Sequence, residues 1–295
     1  ARGITAARAA FAADRPAVVA GFGGYPALPA LAAAWTMGLP RLIHEQNGVL
    51  GRVNRLFATR VDRVCCGTWP VRRAPAGAPL QHTGNPVRAA VVEARATPYA
   101  PPGADGPVRL LVFGGSQGAS LFARVVPQAV AMLPEPLRTR LAVVQQARAG
   151  EEGAVAAAYR SAGVEAEIAP FFADMPRRIA EAQLVIARAG ASSVAEIACI
   201  GRPAVLVPYA AAMDDHQTAN AEALARAGGA EVIAEAALTA GALAALLKRL
   251  LGDTGNSVSD ASLSAMAAAA RGLGRPDAAT DLADLVVALH TEARS

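Results

Sequence analysis

The chain has 295 residues, of which 53% are hydrophobic and 18% charged, so it can bury a large core and is not disordered as a whole. Its length suits two domains of roughly 150 residues each. Three cysteines are too few for a disulfide framework, which favours a reducing compartment. Residues 1–100 carry 12 arginines against four acidic residues, although the whole chain has a net charge of only +4. The excess of arginine in residues 1–100 favours an anionic partner such as a diphosphate or an anionic membrane surface. A nucleic acid is the weaker choice, because few aromatic residues lie there to stack on bases.

In the first part of the chain, short apolar runs alternate with helical patterns. They predict strands at 17–20, 41–44 and 63–66, and helices at 29–37 and 54–59. A proline-rich stretch follows from Trp69 to Pro102, broken by a short helical piece near 87–95. This composition predicts the domain boundary. The uncharged run 16–40 is interrupted by prolines and glycines, and its helical part is too short to span a bilayer.

The alternation restarts after the proline-rich stretch. It predicts strands at 109–113, 141–145, 167–169, 184–187, 204–207 and 231–233, and helices at 121–133, 151–162, 175–181, 193–200, 217–227, 242–251, 262–271 and 277–291. Strands that alternate with helices of this length predict parallel sheets, and therefore an α/β fold with two doubly wound domains. In such domains ligands bind at the carboxyl ends of the strands.

Three glycine-rich turns follow predicted strands, at 21–25, 114–120 and 188–193. Backbone N–H groups and a helix N-terminus at such turns can hold an anion, and glycine lets the chain approach a phosphate closely. None of the turns fits the dinucleotide fingerprint or a P-loop, which disfavours dinucleotide redox chemistry and ATP hydrolysis. The alternative for each single turn is a tight strand-to-helix connection without a ligand.

Glu196 is the most specific single candidate. It lies six residues after Gly190, within the first turns of the helix that is expected to begin there. A carboxylate at this place can accept both hydroxyl hydrogens of a ribose diol. The alternative is a carboxylate that only stabilises the helix dipole.

A second polar cluster follows the predicted strand 204–207. It contains Asp214, Asp215, His216, Gln217 and Asn220. Gln217 and Asn220 lie three residues apart on one helix face, where they could read sugar hydroxyls, whereas simple helix capping is the alternative. The adjacent carboxylates at 214 and 215 diverge and do not form a metal pair, so no metal is expected.

A third polar run, His44-Glu-Gln-Asn-Gly, ends the predicted strand 41–44. Polar and flexible residues at the carboxyl end of a strand suit a site better than a core. His44 and Glu45 are therefore the candidate general bases. The alternative is a solvated turn.

Taken together, these motifs resemble the MurG family of bacterial peptidoglycan N-acetylglucosaminyltransferases. The runs that carry the resemblance occur in the family's order and cover essentially the whole chain: Gly21-Phe-Gly-Gly-Tyr, His44-Glu-Gln-Asn-Gly, Gly84-Asn-Pro-Val-Arg, Gly114-Gly-Ser-Gln-Gly-Ala, Gly190 to Glu196, and Asp215-His-Gln-x-x-Asn-Ala. The resemblance implies a GT-B fold, in which two Rossmann-like domains flank a deep cleft. It implies transfer of N-acetylglucosamine (GlcNAc) from UDP-GlcNAc to the C4 hydroxyl of the N-acetylmuramic acid (MurNAc) unit of lipid I. The product would be lipid II, formed with inversion at the cytoplasmic membrane face and without a cofactor.

The resemblance also implies roles for individual residues. Ser116 would meet the diphosphate, Phe172 would lie beside the uracil, Glu196 would bind the ribose and Gln217 the GlcNAc hydroxyls. The other implied substrate-binding residues are Asn47, Arg88, Ala191, Ser192, Ser193, Val194 and Ala195, and the implied diphosphate loops contain Gly23, Gly24, Gly114, Gly115, Gln117 and Gly118. The chain departs from the family at Phe172, where an aliphatic residue is usual, and at Ser192-Ser193, where Leu-Thr or a similar pair occurs.

The expected domains are residues 1–88 on the acceptor and membrane side, residues 89–275 for UDP-GlcNAc, and a helix at 276–295 that packs back on the first domain. Family members begin with a strand and a Gly-Gly-Thr-Gly-Gly-His loop, which would lie upstream of residue 1. The resemblance therefore predicts a fragment or a late start, with an incomplete first sheet and weak turnover.

The expected partners are UDP-GlcNAc, lipid I, an anionic membrane surface and cell-wall synthesis proteins, but not nucleic acid. Two alternatives remain open at this point. One is another GT-B enzyme, either a glycolipid glycosyltransferase or a UDP-GlcNAc 2-epimerase. The other is a UDP-GlcNAc-binding remnant without catalytic activity.

Overall fold

The computed structural model describes residues 2–103, 106–114, 120–252 and 257–293. The chain forms two compact units. The first unit contains Ala1–Val87, Met213–Ala223 and Arg275–Ser295, and the second contains Arg88–Ala212 and Leu224–Gly274. The first border falls within one residue of the expected one. The segment Met213–Ala223 differs from the expectation, because it packs with the first unit and not with the second.

The helices and strands follow each other in this order: α1 (Arg2–Ala13), β1 (Val19–Gly21), α2 (Ala27–Thr36), β2 (Arg41–Glu45), α3 (Arg52–Phe57), β3 (Arg63–Cys66), β4 (Leu80–His82), α4 (Ala89–Ala94), β5 (Val108–Phe113), α5 (Ser120–Ala131), α6 (Glu135–Arg138), β6 (Leu141–Gln146), α7 (Glu152–Ser161), β7 (Glu165–Ala169), α8 (Met175–Glu181), β8 (Leu184–Ala187), α9 (Ala191–Ile200), β9 (Ala204–Leu206), α10 (His216–Arg226), β10 (Ala230–Val232), α11 (Ala240–Leu251), α12 (Ser257–Leu273) and α13 (Ala278–Glu292). Most match the predicted elements. Three were not predicted: α1, β4 and α6.

The first unit is built on a parallel sheet with the strand order β1-β2-β3-β4. One face of the sheet is covered by a core of apolar side chains from α2, α3 and the strands, among them Leu31, Ile43, Phe57 and Val64. On the other face α13 packs through Leu282 and Leu289 against Leu42 and Cys65. The proline-rich stretch is therefore not a linker throughout, because β4 lies inside it and pairs with β3.

The second unit has a six-stranded parallel sheet with the order β7-β6-β5-β8-β9-β10. Read from β5, the chain first adds strands on one side and then returns to add β8, β9 and β10 on the other. This is the usual order of a doubly wound domain, and it places the topological switch point between β5 and β8. The predicted α/β class with two parallel sheets is confirmed, and the doubly wound strand order is found in the second unit.

The helix that follows the switch point is fixed by its sequence at both ends. Strand β8 reads Leu-Val-Ile-Ala and is completely buried, as expected for a parallel strand that is covered on both faces. Helix α9 begins after Gly190 and ends at Gly201, which has φ +80. A Cβ at Gly201 would lie 2.6 Å from Cβ of Arg271, so both the left-handed conformation and the close packing require glycine.

None of the helices in the described residues is both long and apolar enough to cross a bilayer. In the same residues no group of three or more His, Cys, Asp or Glu side chains is arranged to hold a metal ion.

Candidate functional site

In the second unit, the carboxyl ends of β5 and β8 lie side by side at the switch point, where doubly wound sheets bind their ligands. Gly114 follows β5 directly and is buried. The other implied diphosphate residues, Gly115, Ser116, Gln117 and Gly118, lie outside the described residues. The predicted role of Gly114 stays a prediction, supported by its place at this edge of the sheet.

Helix α9 presents its N-terminus at the same edge. Gly190 precedes it in an extended conformation (φ −63, ψ 145), and no side-chain cap is found among the described residues. The N–H groups of the first helical residues Ala191, Ser192 and Ser193 therefore point out of the helix end, where an anion can accept them. Val194 is buried, and its own N–H bonds to the Gly190 carbonyl.

Glu196 lies one turn further along α9, next to the half-buried Ala195. Its carboxylate accepts two hydrogen bonds from the Arg88 guanidinium, at 3.2 Å from Nε and 3.0 Å from Nη2. The Glu196 side chain is 14% exposed, whereas that of Arg88 is 59% exposed. The structure thus brings together two residues for which the resemblance implies donor binding, and the more exposed partner of the pair is the arginine.

The residues after β7 differ from the expectation in detail. The ring of Phe172 is buried, and the Arg178 guanidinium lies 4.3 Å from its centroid. A ligand at this position can therefore meet only the backbone of Phe172. The neighbouring ring of Phe171 is 73% exposed at the same edge of the sheet, and the sequence analysis missed it.

A buried arginine begins the glycine-rich turn 188–193 at the switch point. Arg188 follows β8, is only 7% exposed, and pairs with Glu235 at 2.9 Å. It also bonds to the carbonyl oxygens of Val207 and Pro208 after β9. Burial alone would raise the pKa of Glu235, but the Ala210 N–H and Arg188 hold it below its usual value. The pair fixes the loop after β9 against β8. The sequence signal for this pair is an arginine directly after a buried apolar strand, where a core residue would be expected.

In the first unit, the glycine-rich turn after β1 has two residues in the left-handed region, Gly23 (φ +82) and Gly24 (φ +71). A Cβ at Gly23 would lie 3.2 Å from Nδ2 of Asn54, so this turn is packed against α3. Between them and β1, the ring of Phe22 is 54% exposed and lies 5.9 Å from the His44 ring. The contribution of Gly23 and Gly24 to a diphosphate site stays a prediction.

His44 is 1% exposed at the end of β2. Its Nε2 lies 3.0 Å from the Gly84 carbonyl, which fixes the tautomer with the proton on Nε2, and Nδ1 has no partner among the described residues. Burial lowers the pKa of His44 and outweighs the Gly84 hydrogen bond and the charge of Glu45, which raise it. The ring is therefore neutral at pH 7 and enclosed, so it does not offer an accessible base.

Glu45 is 3% exposed and accepts four hydrogen bonds. Oε1 accepts from the backbone N–H and from Nδ2 of Asn47, both at 3.1 Å, and Oε2 accepts from the Gly51 N–H and from Nδ2 of Asn54, both at 2.8 Å. The interpretation of Glu45 as a general base does not fit this geometry, because its lone pairs are engaged by the loop that it organises. Glu45 holds residues 45–51 in shape, and a solvated turn is excluded as well.

The amide of Asn47 is held from both sides. Its Nδ2 donates to Glu45, and its Oδ1 lies 3.3 Å from Nδ2 of Asn220. Asn220 is completely buried, and its Oδ1 accepts the Gly48 N–H at 2.7 Å. The hypothesis that Asn220 reads sugar hydroxyls is therefore wrong, since it is sequestered in the first unit and supports the loop at 44–51.

Gln217 is the second residue of the same helix, α10, and is half-buried. The turn before it contains Asp214 and Asp215, both with φ +55. Asp214 pairs with Arg73 at 2.6 Å and lies 3.7 Å from Arg52. Asp214 thus ties the Gln217 segment to the arginines of the first unit, which explains why this segment packs there.

Both units contain residues that match models of a known protein family. The family models for the C-terminal and N-terminal domains of glycosyltransferase family 28 match residues 109–281 and 1–66. A UDP-N-acetylglucosamine--N-acetylmuramyl-(pentapeptide) pyrophosphoryl-undecaprenol N-acetylglucosamine transferase of Chelativorans sp. (strain BNC1) is 53% identical, over 93% of this chain and 72% of its own length. The enzyme of the same name from Rhizobium meliloti (strain 1021) is 52% identical, over 97% of this chain and 75% of its own length.

Among solved structures, Acinetobacter baumannii MurG is similar, with a TM-score of 0.80 and 33% identity, over 96% of this chain and 78% of that one. The C-terminal family model alone matches more than half of the chain, and both transferases exceed half identity over nearly all of it. The chain therefore belongs to glycosyltransferase family 28 and, within it, to the MurG family.

Proposed function

We propose that this protein transfers GlcNAc from UDP-GlcNAc to the C4 hydroxyl of MurNAc in undecaprenyl-diphosphate-MurNAc-pentapeptide, converting lipid I to lipid II with inversion. Family membership supports the reaction class, and the names of the 52–53% identical relatives support the donor and acceptor. The structural observation that carries the proposal is the open N-terminus of α9 at the switch point, with Glu196 and Arg88 beside it.

The ribose and the diphosphate of the donor have partners of suitable chemistry in the second unit. The Glu196 carboxylate can accept the ribose hydroxyl hydrogens once Arg88 turns away, and Arg88 can then meet the diphosphate charge. The N–H groups at the start of α9 and the turn that begins at Gly114 stabilise the negative charge that grows on the leaving UDP. These roles follow from the geometry and from the resemblance together.

The first unit contributes a rigid loop. Glu45 and Asn220 fix both ends of the Asn47 amide, so Asn47 is presented in a single orientation. The His44 ring lies 5.9 Å from the Phe22 ring and bonds to the Gly84 carbonyl, so it links the turn after β1 to the segment after β4. In this proposal His44 and Glu45 are positioning residues, and neither of them takes the proton of the acceptor hydroxyl.

Turnover with a soluble lipid I analogue tests the reaction. We expect UDP release from UDP-GlcNAc only when the analogue is present, with the disaccharide as product. UDP release without the analogue, together with formation of N-acetylmannosamine, would instead indicate a 2-epimerase. UDP-GlcNAc binding without turnover under any condition would indicate a binding remnant.

We further propose that the protein binds peripherally to the cytoplasmic face of the bacterial membrane through the end of α2. Trp35 is 46% exposed there, with the Arg60 guanidinium 5.2 Å from its ring centroid, and Leu56 is 49% exposed. An apolar surface among arginines favours an anionic bilayer by about 1 kcal/mol per basic residue near it. Co-sedimentation with liposomes should rise with anionic lipid, fall with salt, and weaken in Trp35→Ala but not in Trp69→Ala, whose tryptophan is 41% exposed.

A further inference from the structure

The strand β6 ends in the middle of the second sheet, next to β5 on one side and β7 on the other. The last pair between β5 and β6 joins Val112 to Gln145, and the last pair between β6 and β7 joins Gln146 to Ala169. The Ala147 N–H still bonds to the Ala169 carbonyl at 3.1 Å, and the segments after Phe113 and Ala169 then leave the sheet at its ligand edge.

The side chain of Gln146 continues this ladder on both sides. Its Oε1 accepts the N–H of Gly114, the first residue after β5, at 3.3 Å. Its Nε2 donates to the carbonyl of Pro170, the first residue after β7, at 3.0 Å. One amide thus joins the starting points of two loops that leave the carboxyl edge of the sheet.

We propose that Gln146 is a positioning residue for the nucleotide donor, which sets the spacing between Gly114, the first residue after β5, and Pro170, the first residue after β7. Gly114 lies at the switch point, and Pro170 leads to the exposed Phe171 and the backbone of Phe172. A nucleoside diphosphate is long enough to need both strand ends at once, with its phosphates at one and its base at the other. This inference rests on the proposed function, since it assumes a UDP-sugar as ligand.

The chain contains a matched control at the opposite edge of the same sheet. Gln183 uses its Oε1 to accept the N–H of Arg109 at 2.7 Å and its Nε2 to donate to the Ala100 carbonyl at 3.5 Å. Both glutamines are half-buried, and both link β5 to a loop. Gln183 does so at the amino-terminal edge, away from the ligand edge of a doubly wound sheet.

The test compares Gln146→Met with Gln183→Met, because methionine keeps the length of the side chain but removes both hydrogen bonds. Thermal unfolding, UDP binding by titration calorimetry, and donor and acceptor KM are measured for both variants and for the wild type. We expect Gln146→Met to bind UDP about tenfold more weakly, the scale for the loss of two ordinary hydrogen bonds. Its KM for UDP-GlcNAc should rise, while the KM for the lipid I analogue stays within about twofold of the wild type. Gln183→Met should lower the unfolding temperature about as much as Gln146→Met does, but it should leave UDP binding unchanged.

The outcomes separate the two proposals. A wild type that does not bind UDP overturns the proposed function and this inference with it. A wild type that binds UDP, with Gln146→Met binding equally well, overturns this inference alone. An equal loss of UDP binding in both variants also overturns it, because the effect would then be general destabilisation. If Gln146→Met does not fold, Gln146→Asn takes its place, since its amide is one methylene too short to reach both partners and should show the same selective loss.

Discussion

The loop after β2 in the first unit and the start of α9 in the second each place a glutamate at a strand end, but the two carboxylates do opposite things. Glu45 accepts four hydrogen bonds from its own loop and is 3% exposed. Glu196 accepts only from Arg88 among the described residues, and that arginine side chain is 59% exposed. The hydrogen-bond partners of Glu45 belong to its own buried loop, whereas the partner of Glu196 is an exposed side chain that a ligand can displace.

This difference distinguishes a scaffold from a binding group. A buried charge whose lone pairs are all engaged cannot bind a ligand without breaking its own loop, and such a break is costly. A carboxylate paired with one exposed arginine exchanges that partner cheaply, since exposed ion pairs contribute about 0–1 kcal/mol. The two sites should therefore respond to the same mutation in different measurements, stability for Glu45 and ligand binding for Glu196.

The largest expected effect is on stability, in Glu45→Ala. Removing the carboxylate takes the acceptor from the backbone N–H groups of Asn47 and Gly51 and from Nδ2 of Asn47, and it leaves Nδ2 of Asn54 with only the His44 carbonyl. We expect the first unit to lose about 3–5 kcal/mol of unfolding free energy, as for other broken buried polar networks. Both tryptophans of the chain, Trp35 and Trp69, lie in this unit, so urea unfolding followed by tryptophan fluorescence reports on it selectively.

The control for this prediction is Asp14→Ala, which removes an exposed carboxylate from the same unit. Its unfolding midpoint should stay close to that of the wild type. A Glu45→Ala variant as stable as Asp14→Ala would mean that the four hydrogen bonds contribute nothing, and Glu45 would again be a candidate base.

The second expected effect is on binding, in Glu196→Ala. Losing a charged acceptor for a sugar diol should weaken UDP binding by roughly 2–4 kcal/mol, or about 30- to 1,000-fold. The control is Glu181→Ala in the same unit, where the lost pair with Arg177 is exposed. Titration calorimetry with UDP decides the matter, and equal affinities of the two variants would remove Glu196 from the site. The tryptophan-reported unfolding should be unchanged in both.

The positions of strands and turns could be predicted from the sequence better than the roles of the residues on them. The parallel sheets and the turn at 188–193 were predictable because buried strands and glycine-rich turns are local patterns. Strand β4 was missed, since it has three residues in a proline-rich stretch and exists only through its pairing with β3. Helix α1 was missed as well, because none of its residues is buried.

The role of the Met213–Ala223 segment could not be read from local pattern. Asn220 bonds to Gly48, which lies 172 residues away in the chain. A Cβ at Gly48 would lie 2.9 Å from Cβ of Ala219, so the close approach of α10 also depends on a glycine far away in the sequence. A polar residue at a helix start looks the same in sequence whether it faces a sugar or a buried loop. Only the folded chain decides between the two.

The smallest expected effect is a dependence of the stability of the first unit on pH. It tests whether burial or the charge of Glu45 has the larger effect on the pKa of His44. Burial lowers the pKa of His44 below the ordinary value of 6.5, and the neighbouring Glu45 opposes that shift. Above pH 6.5 the ring is neutral in both the folded and the unfolded chain. As the pH falls below 6.5, the unfolded chain takes up a proton that the folded chain refuses. The first unit should therefore lose stability toward acid, by at most about 1.4 kcal/mol per pH unit for this group, until the lowered pKa is passed.

His82 shows a lowered pKa for the same reason, burial, with the charge of Arg275 acting in the same direction, so the wild-type slope contains both histidines. The contribution of His44 is the difference between the wild type and His44→Gln in tryptophan-reported unfolding between about pH 5 and 7.5, and His82→Gln gives the other share. We expect the slope to decrease in each single variant. A slope of opposite sign for His44, with stability that rises toward acid, would mean that Glu45 holds a proton on the ring. In that case the loop of the first unit would contain an ion pair, and its contrast with the exchangeable pair at Glu196 would be lost.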